Sequence, residues 1–314
     1  MNKILVLIML SLITQFFSGS SQANVKTYPR QINLSGNVFH FSLPEDFSKD
    51  MPAYDMVEAL DISDPQKFDD PEYGNLIRRW WDIKEPGWFG KNLGTVMMDI
   101  SVQRVVENKQ QLLHSNPYHI KNRMDFMLML DDSFHQNYDA LNKEIAPEHG
   151  NYQAYHSSPF TLSGRKVISM YRDFVFNEQK WIESGMAAPR GELIADYSIP
   201  LAEHAYLKVS FTYSQNANVL PLEFRRGYAY SETEDILKSF KMDYTKDNPF
   251  AKIVGEDWLT QTNDEVLEQH RDSIMQLFYG PDPEAAMLKE EQEMREADEK
   301  DQREMQELLK HDPL

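Results

Sequence analysis

Six residues in one short stretch have the types that recognise other molecules. Arg78-Arg79-Trp80-Trp81 is followed closely by Trp88-Phe89, which puts three tryptophans within nine residues. Trp and Arg carry much of the energy at protein interfaces. An indole buries a large apolar face, and a guanidinium offers a planar fork of donors. These six are the candidate binding residues of the chain. The same composition also suits an early strand of a sheet, with the tryptophans in the core and the arginines paired to nearby acids. Spacing alone does not choose between the two.

Residues that could do bond chemistry are dispersed. The chain has no cysteine, which excludes thiol nucleophiles, thiolate metal sites and disulfides. It has no H-E-x-x-H and no Walker A loop, and no G-x-S-x-G after residue 23. His114 and His119 are five apart, off the spacing that places two ligands on one helical face. Glu148, His149 and His156 lie near one another without forming a motif. The acids Asp61, Asp64, Asp69, Asp70 and Glu72, set among Pro65 and Pro71, lack the alternate spacing, central glycine and closing glutamate of a calcium loop. They read as a solvated loop, and no metal or cofactor is expected. A hydrolase built on two carboxylates from distant segments stays open, as does a carrier of a small ligand or ion.

The elements that would position these residues are partly visible. Phe39, Phe41 and Leu43 alternate with His40 and Ser42 after the turn signal Ser35-Gly36-Asn37, giving a strand that ends at Pro44. Asn24 to Arg30 reads as a lead-in. Val96, Met98, Ile100 and Val102 form a second alternating run. Leu207, Val209, Phe211 and Tyr213 form a third, joined to Leu193–Leu201 by a short hairpin connection. Pro200 restricts that partner strand to an edge or an end. Ile168, Met170, Phe174 and Phe176 share a strand face interrupted by Arg172, and Trp181 to Gly191 reads as a loop. Apolar residues from Ile120 to Ile145 recur at helical spacing as one long helix or two shorter ones, with a start expected at Ser115 or Asn116 before Pro117 and an end at Pro147 and Gly150. Ser231 and Glu234 form a capping box before Ile236, Leu237 and Phe240. Lys246 to Pro249 reads as a linker, and Asp264 to Phe278 as a helix broken by Gly280-Pro281-Asp282-Pro283.

Residues 284–314 are charged helix formers, eleven acids against five bases. Their apolar residues are too sparse for a coiled-coil seam, so a solvated helix or a segment that orders on binding is expected. The formal charge of the whole chain is −18. That disfavours nucleic acid and anionic membranes, which reward basic patches, and leaves a basic protein partner open. The first residues, Asn2-Lys3 and then Ile4 to Ile13, followed by Ser21-Gln22-Ala23, have the layout of a secretory signal peptide cleaved after Ala23. No second apolar run of spanning length follows, so stable membrane insertion is not expected. Export without cysteine suits a bacterial periplasm.

The expected organisation is therefore a signal peptide over 1–23, an α+β domain over 24–246 with a long insertion, and a helical acidic extension over 247–314. The run Asn37 to Phe47, NVFHFSLPEDF, with Tyr206 to Phe211 and the late helix residues Ile236-Leu237-Lys238-Ser239-Phe240-Lys241, resembles the PsbP-like and DcrB-like proteins. Phe47 departs from the tryptophan usual there, and residues 52–159 would hold an insertion or a second copy. The resemblance implies a PsbP-like sandwich, an antiparallel sheet flanked by helices. It also implies a non-catalytic role as adaptor or assembly factor, or as an immunity protein against toxins delivered by type VI secretion. It carries no catalytic residue over.

Overall fold

The computed structural model describes residues 26–45, 56–64, 74–84, 92–108, 118–149, 155–156, 159–163, 166–187, 193–215 and 233–311. The fold is α+β, with largely antiparallel sheets, helices against them and a helical C-terminal region. Two sheets face each other. The smaller has the order β13-β2-β1-β3, from β1 (Thr27–Leu34), β2 (Asn37–Pro44), the short β3 (Ala59–Leu60) and β13 (Lys241–Asp243). The larger has the order β4-β5-β12-β11-β10-β6: β4 (Asn75–Lys84), β5 (Asn92–Arg104), β12 (Ala205–Gln215), β11 (Leu193–Ala202), β10 (Gln179–Ala187) and β6 (Tyr155–His156). β9 (Arg172–Phe176) also pairs with β10, and β7 (Phe160–Ser163) with β8 (Lys166–Ser169) makes a separate hairpin.

The expected alternation sets the registers. Ile100 lies opposite Val209, and Val209 opposite Tyr197, so one face of the large sheet is apolar across three strands. That face meets Phe39 of β2, whose ring centroid lies 5.8 Å from Trp181. Phe240, just after the helical residues 233–238, sits between the sheets. Its ring centroid lies 5.4 Å from Phe39, 5.5 Å from Trp181 and 5.7 Å from Phe176. Offset and edge-on rings at such spacings bury large apolar areas without sacrificing their preferred geometry.

Ser35 and Gly36 turn β1 into β2 with φ of +52° and +91°. Two successive positive φ values make the tight hairpin turn whose twist matches the strands. A β-carbon on Gly36 would stand 3.0 Å from Thr245 Cγ2 and press on that methyl, in addition to the strain that φ of +91° puts on any other residue.

Several expectations need correction. The lead-in before Arg30 is strand from Thr27 onward. The segment from Trp181, expected as a loop, belongs largely to β10. Its alternation is masked because Lys180, Glu183 and Ser184 are buried polar residues. The strand expected from Ile168 to Phe176 is two strands broken at Met170-Tyr171, with Ile168 and Met170 exposed. Pro200 does lie at an end of β11, as expected, beside a register irregularity and past the last residue paired with β10. The long helix α1 (Arg123–His149) starts after Asn122, whose Oδ1 accepts from the amides of Met124 at 2.8 Å and Asp125 at 3.2 Å. It ends at His149, beside the expected stop at Gly150. Ser231 of the expected capping box and Pro117 lie outside the described residues.

The segment expected as a linker is a fastened corner. Asn248 Nδ2 donates to Asn37 Oδ1 at 3.1 Å and to the Leu201 carbonyl at 2.9 Å, while its Oδ1 accepts from the Phe250 amide at 3.0 Å. A helical stretch follows through α2 (Phe250–Lys252), a π-turn over Ile253–Asp257 and α3 (Trp258–Thr260). Phe250, Val254 and Trp258 are buried in the same core as the sheets. α4 (Asn263–Gln269) opens with a capping box between Thr262 and Glu265. After it come α5 (Arg271–Tyr279) and α6 (Pro283–His311).

Candidate functional site

β4 distributes its candidate residues over two faces. Trp81 is only 2% exposed and packs edge-on to Phe211 at 6.4 Å. It is therefore core, and its place among the candidate binding residues is corrected: a side chain with no accessible surface does not anchor a partner. Trp80, the next residue, points to the other face and is half-buried opposite Met97. Arg78 shares that face and is half-buried. Arg79 is half-buried too, and its Nη1 donates to the Arg78 carbonyl at 2.8 Å. Trp88 and Phe89 lie outside the described residues.

Arg78 begins a row of alternating charge across four adjacent strands. Its Nε donates to Asp99 Oδ2 on β5 at 2.7 Å, and its Nη2 reaches the same oxygen. Lys208 on β12 stands 4.0 Å from Asp196 Oδ2 on β11, and Ser210 Oγ donates to Asp196 Oδ1 at 2.5 Å. Burial pushes the Asp99 carboxyl above its usual range, more than Arg78 pulls it down. Burial would lower the Lys208 ammonium, but Asp196 and the neighbouring hydroxyls and carboxylates outweigh it and hold the group above its usual value. Cross-strand opposite charges at this spacing stabilise a sheet. Each charge in the row already faces an opposite one, which is the chemistry of a structural ladder.

α1 contributes a second polar group. Tyr118 donates to Asp132 Oδ2 at 2.5 Å, and the Ser133 and Tyr206 hydroxyls are 3.1 Å apart. His135 stands 3.0 Å from Asp139 and 3.9 Å from Asp131. Burial opposes its protonation, but Asp139, Asp131 and Asp132 together raise its pKa above the ordinary histidine value.

A buried clamp ties the late helices to the sheets. The Arg123 side chain has 0% exposure. Its Nη2 reaches Asp173 on β9 and Asn263 at the start of α4, and its Nη1 donates to the Gln261 carbonyl at 2.9 Å. Lys180 on β10 donates to the same carbonyl at 2.6 Å and lies 3.2 Å from Asp173. Burial pulls the Arg123 pKa down and Asp173 pulls it back up. Arg172, which interrupts the apolar face of its strand, makes a two-pronged pair with the buried Glu183, at 2.5 and 2.9 Å.

Among the other sites raised by the sequence, Asp61 closes a small turn, accepting from the Ser63 amide at 3.0 Å, from Ser63 Oγ at 2.6 Å and from Ser35 Oγ at 3.0 Å. Asp69, Asp70, Glu72 and His114 lie outside the described residues. Among the described residues, no three His, Asp or Glu side chains are grouped so as to hold a metal ion. No helix among them is long and apolar enough to cross a membrane.

Among the described residues, the longest exposed stretch is in the last helix. Gly280, at φ +80°, ends α5, and Asp282 Oδ1 accepts from the Ala285 amide at 3.2 Å to start α6. Met287 packs onto α5 near Met275, and between Leu288 and Arg303 every residue except the half-buried Glu291 is exposed. A solvated helix of charged residues was one of the two expectations drawn from the sequence for this stretch. Comparison of the sequence with models of known protein families gives no match, and comparison with curated proteins gives none either.

Proposed function

We propose that the chain is an exported, non-catalytic protein-binding protein whose acidic C-terminal surface meets a basic partner. Neutralisation of a secreted effector is the sharpest form of this reading, and an adaptor role is the broader one. The observation that carries it is α6. A 29-residue helix whose described side chains from Leu288 to Arg303 are all exposed but for the half-buried Glu291 adds little to the stability of the fold. Its own support is local: Lys289–Glu293 at 3.6 Å, Arg303–Glu299 at 3.9 Å and Gln292 to Glu296 at 2.9 Å. Such exposed pairs contribute about 0.3–0.5 kcal/mol each. A long polar helix kept without a packing role fits a surface that another molecule covers. Its excess of acid favours encounter with a basic protein.

Export rests on the N-terminal pattern and the absence of cysteine. The likeness to PsbP-like and DcrB-like proteins supports the adaptor or immunity role. The test is isolation of the tagged protein from its own cell envelope at low salt, followed by identification of stoichiometric companions and a binding titration with the purified companion. A single basic protein whose affinity falls with salt supports the proposal. A protein that remains alone at native abundance, in the presence and absence of competing cells, contradicts it.

A further inference from the structure

We propose that the open edge of β1, with the groove beside it, takes an extended segment of the partner as an added strand. This rests on the protein-binding reading and gives that partner a second contact, apart from α6. β1 pairs with β2 along its whole length, but β3 reaches it only at Asn33 and Leu34. The two-residue turn at Ser35-Gly36 makes Leu34 and Asn37 a bonded pair, so the even-numbered residues of β1 turn their backbone groups to β2. The odd-numbered residues face the other way, and the Asn33 amide accordingly donates to the Glu58 carbonyl at 2.9 Å. Gln31 and Pro29 come next along that edge. Among the described residues, neither makes a backbone bond on that side. The Gln31 N–H and C=O and the Pro29 C=O are therefore offered to a strand lying in line with β3.

The space for such a strand is present. A groove of about 510 Å³ runs beside this edge, lined by Pro29, Gln31, Val38, His40, Met56 and Glu58. Val38 and His40 lie opposite Asn33 and Gln31 on β2, so the floor is the outer face of the small sheet. His40 is engaged by Asp243 at 3.0 Å, and Arg30, which also borders the groove, is held over the Tyr28 ring at 4.3 Å. Glu58 is exposed at the wall and favours Lys or Arg on the occupant, while Val38 and Met56 favour an aliphatic side chain. Pro29 decides against a second copy of this chain. Proline on an edge withholds a donor, so two copies paired through β1 forfeit one at each Pro29, where another strand forfeits only one in all. The formal charge of −18 also sets copies against each other. The occupant is therefore a strand of another protein, aliphatic toward the groove and basic toward Glu58. Its backbone bonds are few, so the edge adds to the α6 contact and does not replace it.

The probe is a labelled synthetic peptide of about nine residues, alternating Val and Thr with Lys at both ends. It is titrated against the chain from residue 24 onward by fluorescence anisotropy. The control is the same peptide with its backbone N-methylated throughout, which cannot add to an edge. The plain peptide should bind about ten-fold or more tighter than the control. Hydrogen exchange followed by NMR reads the edge itself. In the free chain the Gln31 amide should exchange far faster than that of Ile32, and saturating peptide should slow it by about ten-fold or more. Gln31→Pro removes a donor that β2 does not use, and should weaken the peptide by about three- to ten-fold. Glu58→Lys should weaken it by about two- to five-fold. Thermal unfolding confirms that both variants fold. No binding, equal binding of the two peptides, or a Gln31 amide already as protected as Ile32 in the free chain overturns the edge. A natural companion captured at full affinity by the double variant also overturns it, while leaving protein binding in place. Peptide binding with this pattern where no companion exists supports the edge and sinks the wider reading.

Discussion

Replacing Arg123 with Met tests whether the late helices are held to the sheets by the buried clamp. Methionine keeps most of the stem volume, so the cavity contribution is small. What is lost is the guanidinium, with its bonds to Asp173, Asn263 and the Gln261 carbonyl. Breaking a buried pair by removing one partner costs about 3–5 kcal/mol. Lys180 remains 3.2 Å from Asp173 and still donates to the Gln261 carbonyl, so the loss belongs at the low end, about 3 kcal/mol. For a domain of this size class, that lowers Tm by about 6–12 °C. Lys180→Met alone should lose about 1–2 kcal/mol, because Arg123 then serves both acceptors. The double variant should lose more than the sum, since each single variant leaves Asp173 one cation. Urea unfolding followed by tryptophan fluorescence reads this directly, because Trp258 packs nearby and donates to the Lys121 carbonyl at 3.2 Å. A loss below about 1 kcal/mol for Arg123→Met, or strict additivity in the double variant, would refute the clamp.

Three further outcomes are expected. Trp81→Ala should destabilise by about 3–5 kcal/mol and Trp80→Ala by about 1 kcal/mol in chemical unfolding; the reverse order would put the wrong indole in the core. Gly36→Ala should cost about 1–2 kcal/mol in thermal unfolding, from the φ of +91° and the contact with Thr245, and a neutral result would mean the turn relaxes freely. His135 has a raised folded pKa, so its protonated ring stabilises the fold. That contribution is complete below pH of about 6.5 and fades as pH rises through the folded value. The ring is 51% exposed, so solvent limits it to about 0.3–0.5 kcal/mol. His135→Gln should lower Tm at pH 5.5 and match the parent at pH 9, and equal effects at both would show that the carboxylates do not act on the ring.

Strands in which apolar and polar residues alternate cleanly were legible, and a strand that breaks the alternation was not. β2, β5 and β12 alternate cleanly, and the Ser35-Gly36 turn announced itself by residue type. β10 did not, because Glu183 and Lys180 are buried and matched by Arg172 and Asp173 from β9. A sequence records two such charges as loop character, since their partners are known only after folding. The hairpin turn at Asn177-Glu178, with φ of +47° and +62°, was the available signal, as Asn tolerates that conformation. Lys246 to Pro249 looked like a linker for a similar reason. Asn248 is a turn former by composition, yet here it is a knot between Asn37 and Leu201. The aromatic cluster held two roles in adjacent residues, and strand alternation separates Trp81 in the core from Trp80 on the opposite face.

The central claim is that the acidic C-terminal helix serves a partner and not the fold. The most direct measurement compares the chain with a version ending at Gly280, reading stability and capture of the low-salt companion together. The account predicts a change in unfolding free energy of about 1 kcal/mol or less and complete loss of the companion. Retained capture, or collapse of the fold without α6, would contradict it.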